Sequence, residues 1–93
     1  MYDVIKDNAD LLIRVLQKKG IANQMLKATE KMNELGSAYM KAAQGLPHNV
    51  EEEMADAYIM MAQMRLVFNQ PLIDGYIEAK LERLKRKTRE NDL

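Results

Sequence analysis

Glu53 and Asp56 stand three residues apart in a run, 49–68, that is otherwise largely apolar. On a helix, at about 100° per residue, the two carboxylates project from one arc, and that arc continues as Met60 and Val67 rather than as a charged surface. Carboxylates in such a place are only half in water. Burying them ionised is costly unless a cation or a donor compensates, so the pair predicts a positive partner: a metal ion, a Lys or Arg, or both. Upstream, Gln24, Lys27, Lys31 and Glu34 share one flank of another helical pattern. If the chain doubles back about Pro47, Asp56 comes level with the neighbourhood of Ala38, and Glu34 lies about one turn away at about 1.5 Å per residue. Both Glu53 and Asp56 can then meet Glu34 across the helix pair. Lys80 and Arg83 belong to a later basic stretch and are spaced to turn toward the same bundle.

Composition narrows the chemistry. Lys plus Arg equals Asp plus Glu at 14 each, so no bulk field favours nucleic acid, and none is expected as a partner. The chain has no Cys and a single His, His48, which leaves no disulfide, no thiolate catalysis and no histidine cluster for a transition metal. A bound metal would therefore take oxygen ligands, favouring Mg²⁺ or Mn²⁺. No apolar run approaches the roughly 18 residues of a membrane span, and the start, Met-Tyr-Asp-Val-Ile-Lys, lacks a signal-peptide pattern, so a cytoplasmic protein without membrane partners is expected. Eight Met against one Phe and no Trp point to a core that adapts its shape, or to methionine-rich subunit contacts.

Four helices with three short joints must position these residues, giving an all-α fold in a single domain of 93 residues. The first, from Asp3 to about Lys19, carries Val4, Leu11, Leu12, Val15 and Leu16 at helical spacing and stops at Gly20. The second, from about Ile21 to Gln44, has Ile21, Met25, Ala28, Met32, Leu35, Tyr39 and Ala42 as its core stripe, with Gly45 as its stop. Gly36 costs about 1 kcal/mol in mid-helix and suggests close approach of another helix. After Leu46-Pro47-His48, a connection short enough to make the neighbours antiparallel, Asn49 and Glu52 have capping-box spacing. The third helix then carries two apolar stripes: Val50, Met54, Ala57, Met61, Met64 and Phe68 on one, Ala55, Ile59, Ala62 and Leu66 on the other. A helix buried on more than one side predicts a homodimer or a dimer-based homotetramer. The fourth opens at Pro71, points Leu72, Ile73, Tyr76, Ile77, Leu81 and Leu84 inward, and frays over 89–93.

Glu-Glu-Met-Ala-Asp-Ala-Tyr-Ile-Met at 52–60, with Glu53-Met54-Ala55-Asp56 as an ExxD motif, resembles the all-α MazG-like nucleoside triphosphate pyrophosphohydrolases, particularly their small phage-type members. The resemblance covers most of the chain. Gln24 stands before the first motif, as in that family, and Lys80-Leu-Glu-Arg83-Leu-Lys-Arg86 resembles its closing segment. The family's EExxE motif falls on Glu30-Lys31-Met32-Asn33-Glu34, where Lys31 occupies the second Glu position. The resemblance implies a four-helix bundle, assembled as a dimer or tetramer, in which carboxylates at the positions of Lys31, Glu34, Glu53 and Asp56 gather Mg²⁺ for release of pyrophosphate from a nucleotide. Lys at position 31 turns one negative charge positive, and an ammonium donates hydrogen bonds but cannot coordinate a cation.

Three readings stay open. In the first, the chain is a Mg²⁺- or Mn²⁺-dependent hydrolase with Glu30 and Glu34 as catalytic acids, Glu34, Glu53 and Asp56 as metal ligands, and Gln24, Lys27, Lys80 and Arg83 on the nucleotide. In the second, it is a hydrolysis-silent binder in which Lys31 stands where the ion was, sequestering a nucleotide or nucleotide signal as a phage countering host defence would. In the third, it is a structural helical bundle in which Lys31 neutralises a relic acidic cluster.

Overall fold

A computed structural model describes residues 2–91 as five α-helices, with no strand among them. They are α1 (Tyr2–Asp7), α2 (Ala9–Lys19), α3 (Ile21–Ala43), α4 (Val50–Arg65) and α5 (Gln70–Arg89). The expected first helix is two. Asn8 leaves the helical path, its backbone N–H bonding Ile5 O at 3.1 Å and its side-chain amide reaching back to Val4 O at 2.7 Å. Short polar side chains compete in this way with the backbone ladder, and the continuous apolar spacing gave no sign of it.

The other joints follow their residue types. Gly20, at φ 92° and ψ 144°, is the single residue between α2 and α3 and occupies backbone space that side-chain-bearing residues avoid. At the end of α3, Gly45 takes φ 73°, Leu46 N–H bonds Lys41 O at 2.9 Å and Gly45 N–H bonds Ala42 O at 3.1 Å, the paired bonds of a Schellman close. The capping box expected at Asn49 does not form. The Asn49 side chain makes no cap bond; instead His48 Nδ1 accepts the Val50 N–H at 3.3 Å. Asn69 does cap α5, accepting Leu72 N–H at 3.0 Å, with Pro71 in the first turn. Helix α5 ends at Arg89; the part of the expected fraying that falls on 92–93 lies outside the described residues.

The packing is centred on α3 against α4, with α2 touching both and α1 resting on α2. The seam between α3 and α4 runs through small residues: Ala28, Ala38 and Ala57 are buried, and Met60 fills the space between. This line is rotated from the expected stripe. Of the expected stripe, Ile21 and Tyr39 are about half exposed and Ala28, Met32, Leu35 and Ala42 are buried or half-buried, while Gln24 and Lys31 join them from the neighbouring flank. Alanines let two helices approach closely, so the seam follows the small residues rather than the bulky ones.

Helix α5 is the largest departure from expectation. It buries no residue, and Leu72, Tyr76, Ile77, Leu81 and Leu84 are exposed rather than turned inward. Arg65 Nη2 meets Asp74 Oδ1 at 2.9 Å across the α4/α5 joint and holds the helix at its take-off angle. The Cα radius of gyration is 16.1 Å, against about 12 Å for a compact domain of this length.

Candidate functional site

The polar residues of interest fall in two groups along the α3/α4 seam. In the first, Lys31 Nζ lies 3.4 Å from Glu34 Oε2, one turn along α3, and 3.5 Å from Asp56 Oδ2 on α4. The Lys31 side chain is 23% exposed and both carboxylates 39%, so the cluster is a notch, wet on one side. Hydrogen bonding to Glu34 and the charge of that carboxylate, with a smaller contribution from Asp56, hold the ammonium above the ordinary lysine pKa, against the opposing pull of burial. Both separations are longer than the roughly 2.7–2.9 Å of a tight charge-assisted bond, so the ammonium sits between two acids without being locked to either.

Glu53 is on the same arc of α4 but does not join them. Its Oε1 accepts from Asn49 Nδ2 at 2.9 Å, and its Oε2 is buried with no partner among the described residues. The expected convergence of three acids is thus a pair bridged by Lys31, with the third turned toward the α4 N-terminus. No group of three or more acidic or histidine side chains among the described residues is arranged to hold a metal ion. As a donor set this does not fit Mg²⁺ or Mn²⁺, because an ammonium lies where a divalent ion would need oxygen.

The second group is buried. Gln24 Nε2 donates to Gln63 Oε1 at 2.8 Å, and Gln63 Nε2 donates to Leu12 O at 3.1 Å. Gln63 is 2% exposed and Gln24 8%. Gln63 therefore ties α2, α3 and α4 together, which sequence reasoning missed. The signal was there, since Gln63 continues the arc of Asp56 and Met60. Gln24, expected beside a nucleotide, has its amide engaged inside the helix seam.

The remaining candidates are more dispersed. Glu30 and Lys27 are exposed on α3, away from the buried seam line. Lys80 and Arg83 are exposed on α5, a helix that makes few contacts with the α3/α4 pair.

Comparison of the chain with protein-family models, curated proteins and solved structures finds no match. No helix among the described residues is long and apolar enough to cross a membrane. The fold and the notch define an all-α protein with a charged seam between two antiparallel helices.

Proposed function

We propose that this chain is a cytoplasmic MazG-like nucleotide-binding protein in which the Lys31 ammonium takes the position of the divalent cation, so that it binds nucleotide without hydrolysing it. The observation that carries the reading is the Lys31 bridge to Glu34 and Asp56. The ammonium offsets one of the two carboxylate charges and has no lone pair to give a metal, yet remains a partly exposed donor. Phosphate oxygens can compete with Glu34 and Asp56 for it, since those contacts are long. Lys27, one turn before Lys31, adds a second positive charge on the same helix. The protein acts as a homodimer or dimer-based tetramer, and α5 completes the four-helix bundle, with Lys80 and Arg83, in that assembly.

One observation favours the hydrolase reading instead. Glu53 Oε2 is a buried carboxylate oxygen with no partner among the described residues, and buried oxygens of that kind are compensated by donors or cations. That reading requires Lys31 to leave the notch and Glu53 to turn back into it, so that Glu34, Glu53 and Asp56 could face Mg²⁺ or Mn²⁺, with Glu30 beside Glu34 in place of the missing acid.

Two measurements separate the readings. Nucleoside triphosphates and deoxynucleoside triphosphates incubated with Mg²⁺ or Mn²⁺ should yield no monophosphate and pyrophosphate if the site is silent, while calorimetric titration with nucleotides and cyclic dinucleotides should show saturable binding that Lys31→Ala weakens. Turnover would establish the hydrolase. Absence of both turnover and binding would leave a structural bundle.

A further inference from the structure

We infer that the apolar side of α5 is received by a second copy of this chain, in the trough between α1/α2 and α4, and that each chain gives its α5 and takes the other's. The inference rests on the self-assembly read above and names the element that performs it.

Area is the first argument. The chain exposes 7463 Å². A compact monomer of its 10.7 kDa would expose about 5,500 Å². The excess of about 2,000 Å² per chain matches what obligate homodimers bury, since their interfaces total roughly 2,000–5,000 Å² over both partners.

Helix α5 is the second. Isolated helices shorter than about 12–15 residues are marginal in water, and longer ones in proteins still draw most of their stability from packing. This one carries Gly75 inside it, at a cost of about 1 kcal/mol, and leaves Leu72, Tyr76, Ile77, Leu81 and Leu84 about half exposed. The Asn69 cap and the Arg65–Asp74 bridge fasten only its first turns, and the rest of the helix makes few contacts with its own chain.

The third is the trough. Leu12, Tyr58, Met61 and Phe68 line its deeper part, a space of about 970 Å³, and the chain's own Ile73 and Ile77 form one wall. It continues along α1/α2 past Leu11, Met54 and Ile59 to Glu51 on its rim. Glu51 and Glu52 make the start of α4 acidic, whereas the second half of α5 is basic, with Lys80, Arg83, Lys85, Arg86, Lys87 and Arg89 against Glu78 and Glu82. A partner α5 that enters beside Ile73 and Ile77 brings its basic half toward the acidic rim, which a second copy running the other way would not.

The chain has no cysteine, so introduced thiols report contacts without background. Ile59→Cys in one tagged chain and Leu81→Cys in a differently tagged chain, co-refolded and mildly oxidised, should give a covalent species carrying both tags. Ile77→Asp should raise the dissociation constant of the dimer by about 10- to 100-fold with helical circular dichroism retained. A dimer by light scattering that gives no mixed cross-link, or that is indifferent to Ile77→Asp, overturns the α5 exchange and leaves self-assembly standing. A monomer at tens of micromolar overturns both, whatever the nucleotide measurements show.

Discussion

Lys31 on α3 reaches Asp56 on α4 at 3.5 Å, a charged bridge across a helix pair otherwise joined by alanine and methionine packing and the Gln24–Gln63 hydrogen bond. Lys31→Glu replaces that bridge with an acid beside Glu34 and Asp56. Mn²⁺ affinity should rise at least tenfold by calorimetry, and the metal-free variant should melt lower because like charges crowd the notch. An unchanged Mn²⁺ affinity would show that position 31 is not where the cation belongs.

The same lysine predicts an alkaline signature. Its pKa in the folded chain lies above 10.5, the ordinary value, chiefly because of Glu34. A raised folded pKa means that the pair's contribution to stability is fully present below pH 10.5 and is lost as pH climbs through the folded value. The stability difference between the natural chain and Lys31→Met, from urea unfolding, should be level from neutral pH to about pH 10 and shrink above that. A difference that persists unchanged into strong alkali would assign the effect to packing of the aliphatic stem.

Removing the Gln63 amide should cost about 1–3 kcal/mol, because Gln63→Met strands the Gln24 donor in the buried seam and gives up the tie to the Leu12 carbonyl. For a domain of this size that lowers the melting temperature by roughly 4 °C or more at fixed protein concentration. Gln24→Met combined with Gln63→Met should recover part of the loss, since the stranded donor is then gone. Strict additivity of the two substitutions would argue against the coupling.

Gly36 offers a test of what covers α3. An added Cβ at Gly36 meets nothing within 4 Å in the single chain, contrary to the close helix approach its mid-helix position suggested. Gly36→Ala should stabilise by about 0.5–1 kcal/mol through helix propensity alone. A destabilisation, read by thermal melting, would reveal that another chain presses on this face.

The sequence told most about backbone punctuation. Gly20, Gly45 and Pro71 stop or start helices where their chemistry requires, and Asn8 alone introduced a break that periodicity hides, because its side chain satisfies a carbonyl locally. Placement of Asp56 and Met60 on one arc was legible too, Met60 buried and Asp56 half-buried, whereas Val67 falls in the turn after α4. The direction in which Glu53 turns was not, since it depends on a local bond to Asn49 that competes with the cluster. Nor was the disposition of α5. Its apolar spacing says that one side is to be covered, but spacing alone does not say by which chain.

Gln63 has one more consequence. Sliding α4 by a single residue would turn its side chains about 100°, carrying the amide away from Gln24 and bringing Ala62 or Met64 to that spot. Alanines present little shape and methionines adapt to almost any, so a seam of small residues around Met60 would fill several such offsets nearly equally well. One amide that must meet a partner from each of two other helices discriminates among them, and gives a loosely shaped interior a single alignment.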